Sequence, residues 1–285
     1  MLGCHDAQRN SKLFPDMTPE GTSPDGDGTG LAFEDADAGL DRLVHHHGVT
    51  TPDGPLVTVV IPVLDDTTAL TSLLPTLPVD PSIQVVVVDG GDGRDTACDA
   101  LRQRHPELEW IRSARGRGTQ MNAGAKRARG RWLVFLHADT RLGAGWLDLL
   151  RRLDSHPSIV GGSFRFALDS AARWARWIER GVRLRVRLFD LAYGDQALFA
   201  RRDVFGELGG YMELPLMEDV DFVRRLRRRG RLEHADIPAL TSARRWERDG
   251  WIRRTVENIA LILLFLAGWS PAWLARRYDR PTGSS

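Results

Sequence analysis

Carboxylates follow apolar segments of this chain at three separate places. Asp65 and Asp66 come directly after one apolar run, Asp89 and Asp92 after a second, and Asp139 after a later one. Carboxylate oxygens bind hard divalent cations and accept hydrogen bonds from a ligand. If these runs are neighbouring strands, the carboxylates share one edge of a sheet and indicate a binding site there.

Two glycine-rich segments lie among these carboxylates. In Asp89-Gly-Gly91-Asp-Gly the glycines let the backbone approach a ligand closely, although a tight strand-to-helix turn explains the same residues. Arg115-Gly-Arg117-Gly-Thr-Gln-Met-Asn122 places two guanidiniums just ahead of a predicted helix. Because a helix N-terminus favours anions, we interpret this segment as a diphosphate site, with a solvated basic loop as the alternative.

His137-Ala138-Asp139 places two metal-ligating side chains two residues apart. In an extended segment such side chains point the same way. Asp139 suits a hard divalent cation that bridges phosphates, and ligation by His137 would favour Mn²⁺ over Mg²⁺. A hydrogen-bonded core histidine is the alternative for His137.

Glu218-Asp219-Val-Asp221 contains three carboxylates in four positions at the start of a predicted helix. Acidic residues complement the helix dipole there, but a cap needs only one of them. The surplus indicates a general base for a hydroxyl nucleophile.

The elements that must position these residues alternate regularly in the first half of the chain. Apolar periodicity predicts strands at Val57–Val63, Ile83–Val88, Leu108–Arg112 and Trp132–Leu136, separated by helices at Thr67–Leu74, Asp95–Arg104 and Thr119–Arg129. This alternation is typical of a parallel α/β sheet, which binds ligands at the carboxyl ends of its strands. After about Leu150 it stops, and the pattern predicts strands at Val160–Leu168 and Ala197–Arg201 and helices at Ala171–Leu188, Asp219–Arg229 and Asn258–Ala267.

Composition narrows the class of protein. The 285 residues carry a net charge of +1, which disfavours a dedicated nucleic-acid binder. Residues 1–56 carry a net charge of −7, which leaves +8 on the remainder. The polar composition of residues 1–55 predicts a disordered tail. Two cysteines, no signal-peptide pattern, and a longest apolar run of 11 residues at Ile259–Trp269 favour a cytoplasmic protein.

One further segment suggests a surface for membranes. Trp174 and Trp177 alternate with arginines in the predicted helix that begins at Ala171. This amphipathic segment either packs in the core or lies on a membrane surface. The apolar run at Ile259–Trp269 and the net charge of +8 after residue 56 are compatible with peripheral contact with anionic lipid, such as the inner face of a membrane.

Six motifs in order resemble family 2 glycosyltransferases, most closely the radical-SAM/selenodomain-associated transferase subgroup. The similarity spans Val57 to Tyr278 and rests on Val57-Thr-Val-Val-Ile-Pro-Val, Val-Val-Asp89-Gly-Gly, Gln120-Met-Asn122-Ala-Gly-Ala, Phe-Leu-His137-Ala-Asp139-Thr, Gly209-Gly-Tyr and Met217-Glu218-Asp219-Val-Asp221. The resemblance implies a GT-A fold, an α/β Rossmann-like, mostly parallel sheet with helices on both faces. It also implies inverting, metal-assisted transfer from a UDP- or GDP-sugar to a hydroxyl acceptor, for which a lipid-linked molecule is an open alternative.

The resemblance divides the chain and assigns its residues. It implies one domain over 56–280, with a nucleotide-binding half at 56–150, an acceptor half at 151–250 and an apolar helical segment at 251–280. Asp219 matches the catalytic base beside Glu218, and Asp139 matches the metal position, with Mn²⁺ or Mg²⁺ expected and His137 as a departure from the usual carboxylate. The donor-binding set is Pro62, Asp66, Asp89, Gly91, Asn122 and Ala138, joined by Arg115 and Arg117 of the basic loop described above, and the acceptor set is Asp195, Gln196 and Trp246.

Two other interpretations stay open at this point. A nucleotidyltransferase could use a similar sheet and metal, but it would carry a glycine- and arginine-rich loop after the first strand. A non-catalytic nucleotide- or lipid-binding relative would explain His137 and also Asp65-Asp66, where the family usually has Asn-Glu.

Overall fold

The computed structural model describes residues 54–93 and 95–278, all within one compact unit. The predicted tail at 1–55 lies outside these residues except at its last two positions, and so do the last two residues of the predicted domain.

The first half of the described chain alternates strands and helices as predicted, each within two residues of its expected bounds. The order is β1 (Val57–Val63), α1 (Thr67–Leu73), β2 (Ile83–Asp89), α2 (Thr96–Arg104), β3 (Glu109–Arg112), α3 (Arg117–Arg127) and β4 (Trp132–Phe135).

The second half is more varied. It comprises β5 (Thr140–Leu142), α4 (Trp146–Asp154), β6 (Ile159–Asp169), α5 (Arg173–Phe189), β7 (Phe199–Arg201), α6 (Arg202–Glu207), α7 (Glu218–Leu226), β8 (Arg231–Ser242), α8 (Arg244–Asp249), α9 (Trp251–Leu266) and α10 (Pro271–Tyr278). Short 3₁₀ turns follow α1 at Leu74–Thr76 and precede β7 at Gly194–Gln196.

A single sheet of eight strands runs through the described residues in the order β3-β2-β1-β4-β7-β6-β8-β5. β1 pairs in parallel with β2 and β4, and β2 pairs in parallel with β3. β7 is antiparallel to both β4 and β6, whereas β6 and β8 are parallel. The predicted α/β class is therefore confirmed, with the parallel section concentrated in the first half.

The core forms two layers because successive side chains of a strand point to opposite faces of the sheet. On one face Val59 and Ile61 pack with Leu70 of α1 and Leu150 of α4. On the other face Val60 packs with Met121 of α3 and with Phe222 of α7. Helices therefore cover both faces of β1.

The C-terminal helices differ from the sequence prediction. α9 begins at Trp251, seven residues before the expected Asn258. Charged residues in its first turns obscure the apolar periodicity in the sequence. In the structure Arg253 pairs with Glu257 one turn later, and Arg254 is buried. No helix among the described residues has both the length and the apolar content needed to cross a bilayer.

Close packing of α3 on β1 depends on one glycine. A Cβ atom at Gly124 would lie 2.3 Å from Cγ1 of Val60 and 3.0 Å from Cγ2 of Val88. We expect Gly124→Ala to lower the free energy of unfolding by about 2 kcal/mol in urea denaturation, since the core must move to admit the methyl group.

Gly181 in α5 is the matched control, because a Cβ there meets nothing within 4 Å. Gly181→Ala should raise the free energy of unfolding by about 0.5–1 kcal/mol through helix propensity alone. Equal effects of the two substitutions would show that Gly124 is not a packing contact.

Candidate active site

The carboxyl ends of three parallel strands meet at one edge of the sheet. Val63 lies opposite Asp89 in the pairing of β1 with β2, and the Leu136 amide donates to the Val60 carbonyl where β4 ends. The segments that begin at Asp65, Asp89 and His137 therefore leave the sheet side by side. The structure confirms the predicted convergence of these strand ends.

Gln120 on α3 holds the ends of β1 and β2 together. Its buried side-chain amide donates from Nε2 to the carbonyls of Val63, at 2.8 Å, and Val88, at 2.9 Å. Gly90 packs against this amide so closely that a Cβ atom there would lie 2.7 Å from its carbon. The role of Gln120 was not evident from the sequence, although this residue begins one of the six motifs.

Two carboxylates that follow these strand ends, Asp89 and Asp66, have defined partners. Oδ1 of Asp89 accepts a hydrogen bond from the Gly91 amide at 2.8 Å, which fixes the turn after β2. Asp66 caps α1 by accepting from the Ala69 amide at 3.2 Å, and its Oδ2 accepts from Arg244 of α8 at 2.7 Å. Asp66 therefore links the first strand end to the C-terminal helices.

The two arginines of the basic loop have different surroundings. Arg115 is exposed, whereas Arg117 lines a large cavity. Nε of Arg117 lies 2.7 Å from Oε1 of Glu218, whose side chain is only 2% exposed. Burial raises the pKa of Glu218, and the charge of Arg117 opposes that rise. Glu218 thus anchors the start of α7 to the start of α3 and does not line the cavity.

His137, Ala138 and Asp139 follow β4 directly. Ala138 is buried, and the side chains on either side of it line the cavity. Burial lowers the pKa of His137 to about 3, and the charges of Arg117 and Arg245 act in the same direction. The imidazole is therefore neutral at physiological pH and has a free lone pair for a metal or a hydrogen bond.

Asp219 lies in the first turn of α7 and points into the same cavity. Met217, immediately before the helix, adopts a left-handed conformation with φ of 69°, a strained geometry that is common at functional sites. Oδ2 of Asp219 accepts from the Gly194 amide at 2.7 Å, and Oδ1 accepts from the Val220 amide at 2.7 Å. These two backbone contacts fix the orientation of the carboxylate.

Gly194 brings Asp219 and His137 together. A Cβ atom at Gly194 would lie 3.1 Å from Cε1 and Nε2 of His137 and 3.2 Å from Oδ2 of Asp219. A residue with a side chain would therefore separate or displace the two groups. The close approach explains why this turn contains glycine, a role that the sequence did not reveal.

Asp195 follows Gly194 and has an unpaired carboxylate oxygen. Its Oδ1 atom is buried without a hydrogen-bond partner among the described residues. Burial raises the pKa of Asp195 to about 6; the charge of Arg185 opposes the rise, and the charges of Asp219 and Asp139 add to it.

Two predicted contact residues use their amide groups within the protein. Asn122 accepts from the Tyr211 amide and donates to the Tyr211 carbonyl, each at 2.8 Å. Gln196 is buried, accepts from Arg185 at 3.2 Å and donates to the Phe164 carbonyl at 3.2 Å. The structure thus places both where they hold the backbone around the site, and neither lines the cavity.

A cavity of about 1,050 Å³ connects the side chains at the end of β4 with those at the starts of α3 and α7. Its polar end is lined by Arg117, His137, Asp139, Asp195 and Asp219. Away from these residues, its walls are mainly apolar side chains of α5 and α9. Trp246, the remaining predicted acceptor contact, lines the cavity and packs against Phe166 with ring centroids 6.0 Å apart.

The two candidate metal ligands at the end of β4, Asp139 and His137, fit a divalent cation that binds together with a phosphate group. No group of three or more His, Cys, Asp or Glu residues forms a ready-made metal site in the part of the chain that the structure describes. Asp139 supplies a hard carboxylate and His137 a neutral imidazole. Mg²⁺ is usually held by one or two carboxylates, with substrate phosphates and water completing its coordination.

Residues 58–210, more than half of the chain, match the family model described as Glycosyl transferase family 2. Among curated proteins none matches the chain. The chain is similar to a solved structure of S. aureus TarS at 16% identity and a TM-score of 0.48, over 73% of this chain and 39% of that chain. A structure of S. aureus TarS 1-349 in complex with UDP-GlcNAc matches at 18% identity and a TM-score of 0.48, over 65% of this chain and 58% of that chain. The chain therefore spans less than two thirds of either TarS chain.

Asp195 makes the stability of the fold depend on pH. Because its pKa of about 6 in the folded protein exceeds the ordinary value of 3.8, the folded state binds more protons than the unfolded state between these pH values. Deprotonation of Asp195 therefore lowers the free energy of unfolding as pH rises from about 4 to 6. We expect Asp195→Asn to remove about 2 kcal/mol of that fall between pH 4.5 and 7 in urea denaturation. The same pH dependence in both proteins would contradict this assignment.

Proposed function

The chain belongs to glycosyl transferase family 2, and on this basis we propose that it transfers a sugar from a nucleoside diphosphate sugar to an acceptor hydroxyl with inversion. The observation that carries the proposal is the position of Asp219. Its carboxylate is held by two backbone amides beside the end of β4, in the cavity that also contains Asp139 and His137. The GT-A form of the α/β fold and the narrower transferase subgroup belong to this proposal as well.

The donor nucleotide is proposed to bind across the carboxyl ends of β1 and β2. Asp89 and Gly91 form the turn after β2, and Pro62 lies opposite Val88 near the end of β1. A carboxylate at such a strand end accepts hydrogen bonds from a base or ribose. Both UDP- and GDP-sugars are compatible with this arrangement.

The diphosphate is proposed to lie toward the end of β4. Asp139 and His137 would hold Mn²⁺ or Mg²⁺ there, and the ion would stabilise negative charge on the leaving diphosphate. Arg117 lines the same cavity, so its positive charge favours an anionic ligand at this position.

Asp219 is proposed to act as the general base. The acceptor oxygen attacks the anomeric carbon from the face opposite the diphosphate, and its proton passes to the Asp219 carboxylate. The bond between the anomeric carbon and the diphosphate oxygen breaks, and its electron pair leaves with the nucleoside diphosphate. One base and one leaving group are enough for this inverting displacement, which needs no covalent intermediate.

The structure disfavours a nucleotidyltransferase. Only three residues, Leu64, Asp65 and Asp66, join β1 to α1. This connection has neither the glycines nor the arginines of a phosphate-binding loop. A non-catalytic relative would bind the nucleotide without releasing nucleoside diphosphate from the donor, so a turnover measurement separates it from the proposed enzyme.

Asp219→Asn tests the base directly. The substitution keeps the shape of the side chain but removes the proton acceptor, together with one of the two backbone hydrogen bonds, because the amide NH₂ group of Asn cannot accept. We expect the kcat for release of nucleoside diphosphate from UDP- or GDP-sugars to fall about 10²- to 10⁴-fold. Affinity for the nucleoside diphosphate, measured by calorimetry, should change less than about twofold.

Asp221→Asn is the matched control from the same helical turn. Asp221 pairs with Arg225 at 2.7 Å and does not line the cavity. This variant should keep kcat within about threefold of the wild type. Near wild-type turnover in Asp219→Asn would refute the base assignment, and absence of turnover in the wild type with all donors would favour the non-catalytic relative.

A further inference from the structure

One side of α9 carries an exposed row of large apolar side chains, which we call the α9 stripe. Five side chains, each 44–61% exposed, form it: Ile252, Val256, Ile259, Leu263 and Leu266. Because they are spaced alternately by four and three residues, they lie on one face of the helix. Single exposed apolar residues are common on proteins, but a continuous row of them marks a surface that binds a partner.

α5 presents a second exposed apolar row, which we call the α5 stripe. Four side chains, each 51–63% exposed, form it: Trp174, Trp177, Leu184 and Leu188. At 3.6 residues per turn these four positions also share one face of their helix. Trp177 lines the same open cavity as Leu263 of the α9 stripe. The two helices therefore present their apolar stripes to the same side of the protein.

A row of arginines runs along α5 next to its apolar stripe. Five exposed side chains, again three or four residues apart, form this arginine row: Arg173, Arg176, Arg180, Arg183 and Arg187. Arg176 pairs with Glu179 at 2.8 Å, whereas the other four form no ion pair with any described residue. The guanidinium of Arg180 lies over the Trp177 ring, 5.4 Å from its centroid. Positive charge is thus available to a partner directly beside the apolar stripe.

This combination fits the surface of an anionic bilayer better than a second copy of the chain. Tryptophan side chains are enriched at the level of lipid head groups, where the indole is partly in water and partly in hydrocarbon. Guanidiniums bind phosphate oxygens, and anionic lipids attract basic residues that lie near the membrane. A two-fold dimer through the same surface would instead bring two arginine rows together without acidic partners.

We propose that α5 and α9 dock this protein on the surface of an anionic membrane. Both apolar stripes lie at the boundary between head groups and acyl chains, and the arginine row contacts lipid phosphates. The proposal concerns the surface to which the protein binds, and it holds whether or not the chain transfers a sugar. It explains why large apolar side chains stay exposed along two neighbouring helices.

Sedimentation of the full-length protein with lipid vesicles tests the proposal. Vesicles of about 70% phosphatidylcholine and about 30% phosphatidylglycerol are compared with vesicles of phosphatidylcholine alone. At about 0.1 M salt we expect at least 10-fold tighter binding to the anionic vesicles, and at about 0.5 M salt most of this difference should disappear. Equal binding to both kinds of vesicle, or binding to neither, would overturn the proposal.

A matched pair of valines tests the apolar stripe. Val256 belongs to the α9 stripe, whereas Val79 is fully exposed in the connection between α1 and β2. Val256→Asp should weaken binding to the anionic vesicles at least 10-fold, because a carboxylate is costly among acyl chains and is repelled by the lipids. Val79→Asp, which adds the same charge elsewhere, should weaken it less than twofold. Equal weakening by the two substitutions would contradict docking through α9.

A matched pair of arginines tests the arginine row and does not depend on the valine variants. Arg183 belongs to the row, whereas Arg152 is exposed on α4. α4 packs through Leu150 on the opposite face of the sheet from Val186 of α5. Arg183→Glu should weaken binding to the anionic vesicles at least fivefold, and Arg152→Glu less than twofold. Equal effects would show that net charge alone, and not this row, determines binding.

Sedimentation velocity without lipid distinguishes the bilayer from a second copy of the chain. A wild-type monomer that binds anionic vesicles is the expected result. A dimer that Val256→Asp dissociates, together with no vesicle binding by the wild type, would overturn the proposal in favour of a second copy. Neither measurement includes a sugar donor, so failure of the proposed transfer reaction would leave both results unaffected.

Discussion

The side chains of β1 are almost entirely buried. Every side chain from Val57 to Ile61 is buried, and the one polar side chain among them, Thr58, donates to Gln84 at 2.8 Å. Such a strand needs a neighbouring strand on each edge and helices on each face. Parallel pairing with β2 and β4 provides the edges, and α1 and α3 cover the faces. Because parallel strands end at the same edge, burial of β1 also brings three polar strand ends together.

The second half of the chain completes the site through a few long-range contacts. The ion pair between Arg117 and Glu218 joins the start of α3 to the start of α7 and so fixes the helix that carries Asp219. The Gly194 amide then orients that carboxylate beside His137. Asp66 and Arg244 connect the end of β1 to the C-terminal helices. The first two of these contacts constrain the position of the proposed base.

Sequence periodicity predicted the parallel section of the sheet because each of its strands is apolar and each helix follows within a few residues. It did not predict β8, whose side chains are mostly half-buried and whose pairing with β6 joins residues far apart in the chain. The sequence also placed Asn122 and Gln196 among contact residues by motif position. Only the three-dimensional structure shows that their amides bind backbone groups of Tyr211 and Phe164. Gln120 and Gly194 escaped prediction because their roles depend on close approach between distant segments.

Calorimetric titration of the protein with UDP and GDP, with and without Mn²⁺, tests most directly whether the strand ends form a nucleoside diphosphate site. We predict saturable binding of at least one of these nucleotides that Mn²⁺ strengthens about 10-fold or more, and that Asp139→Ala no longer responds to the metal. Binding of neither nucleotide in the wild type, or an unchanged response to Mn²⁺ in Asp139→Ala, would contradict this prediction.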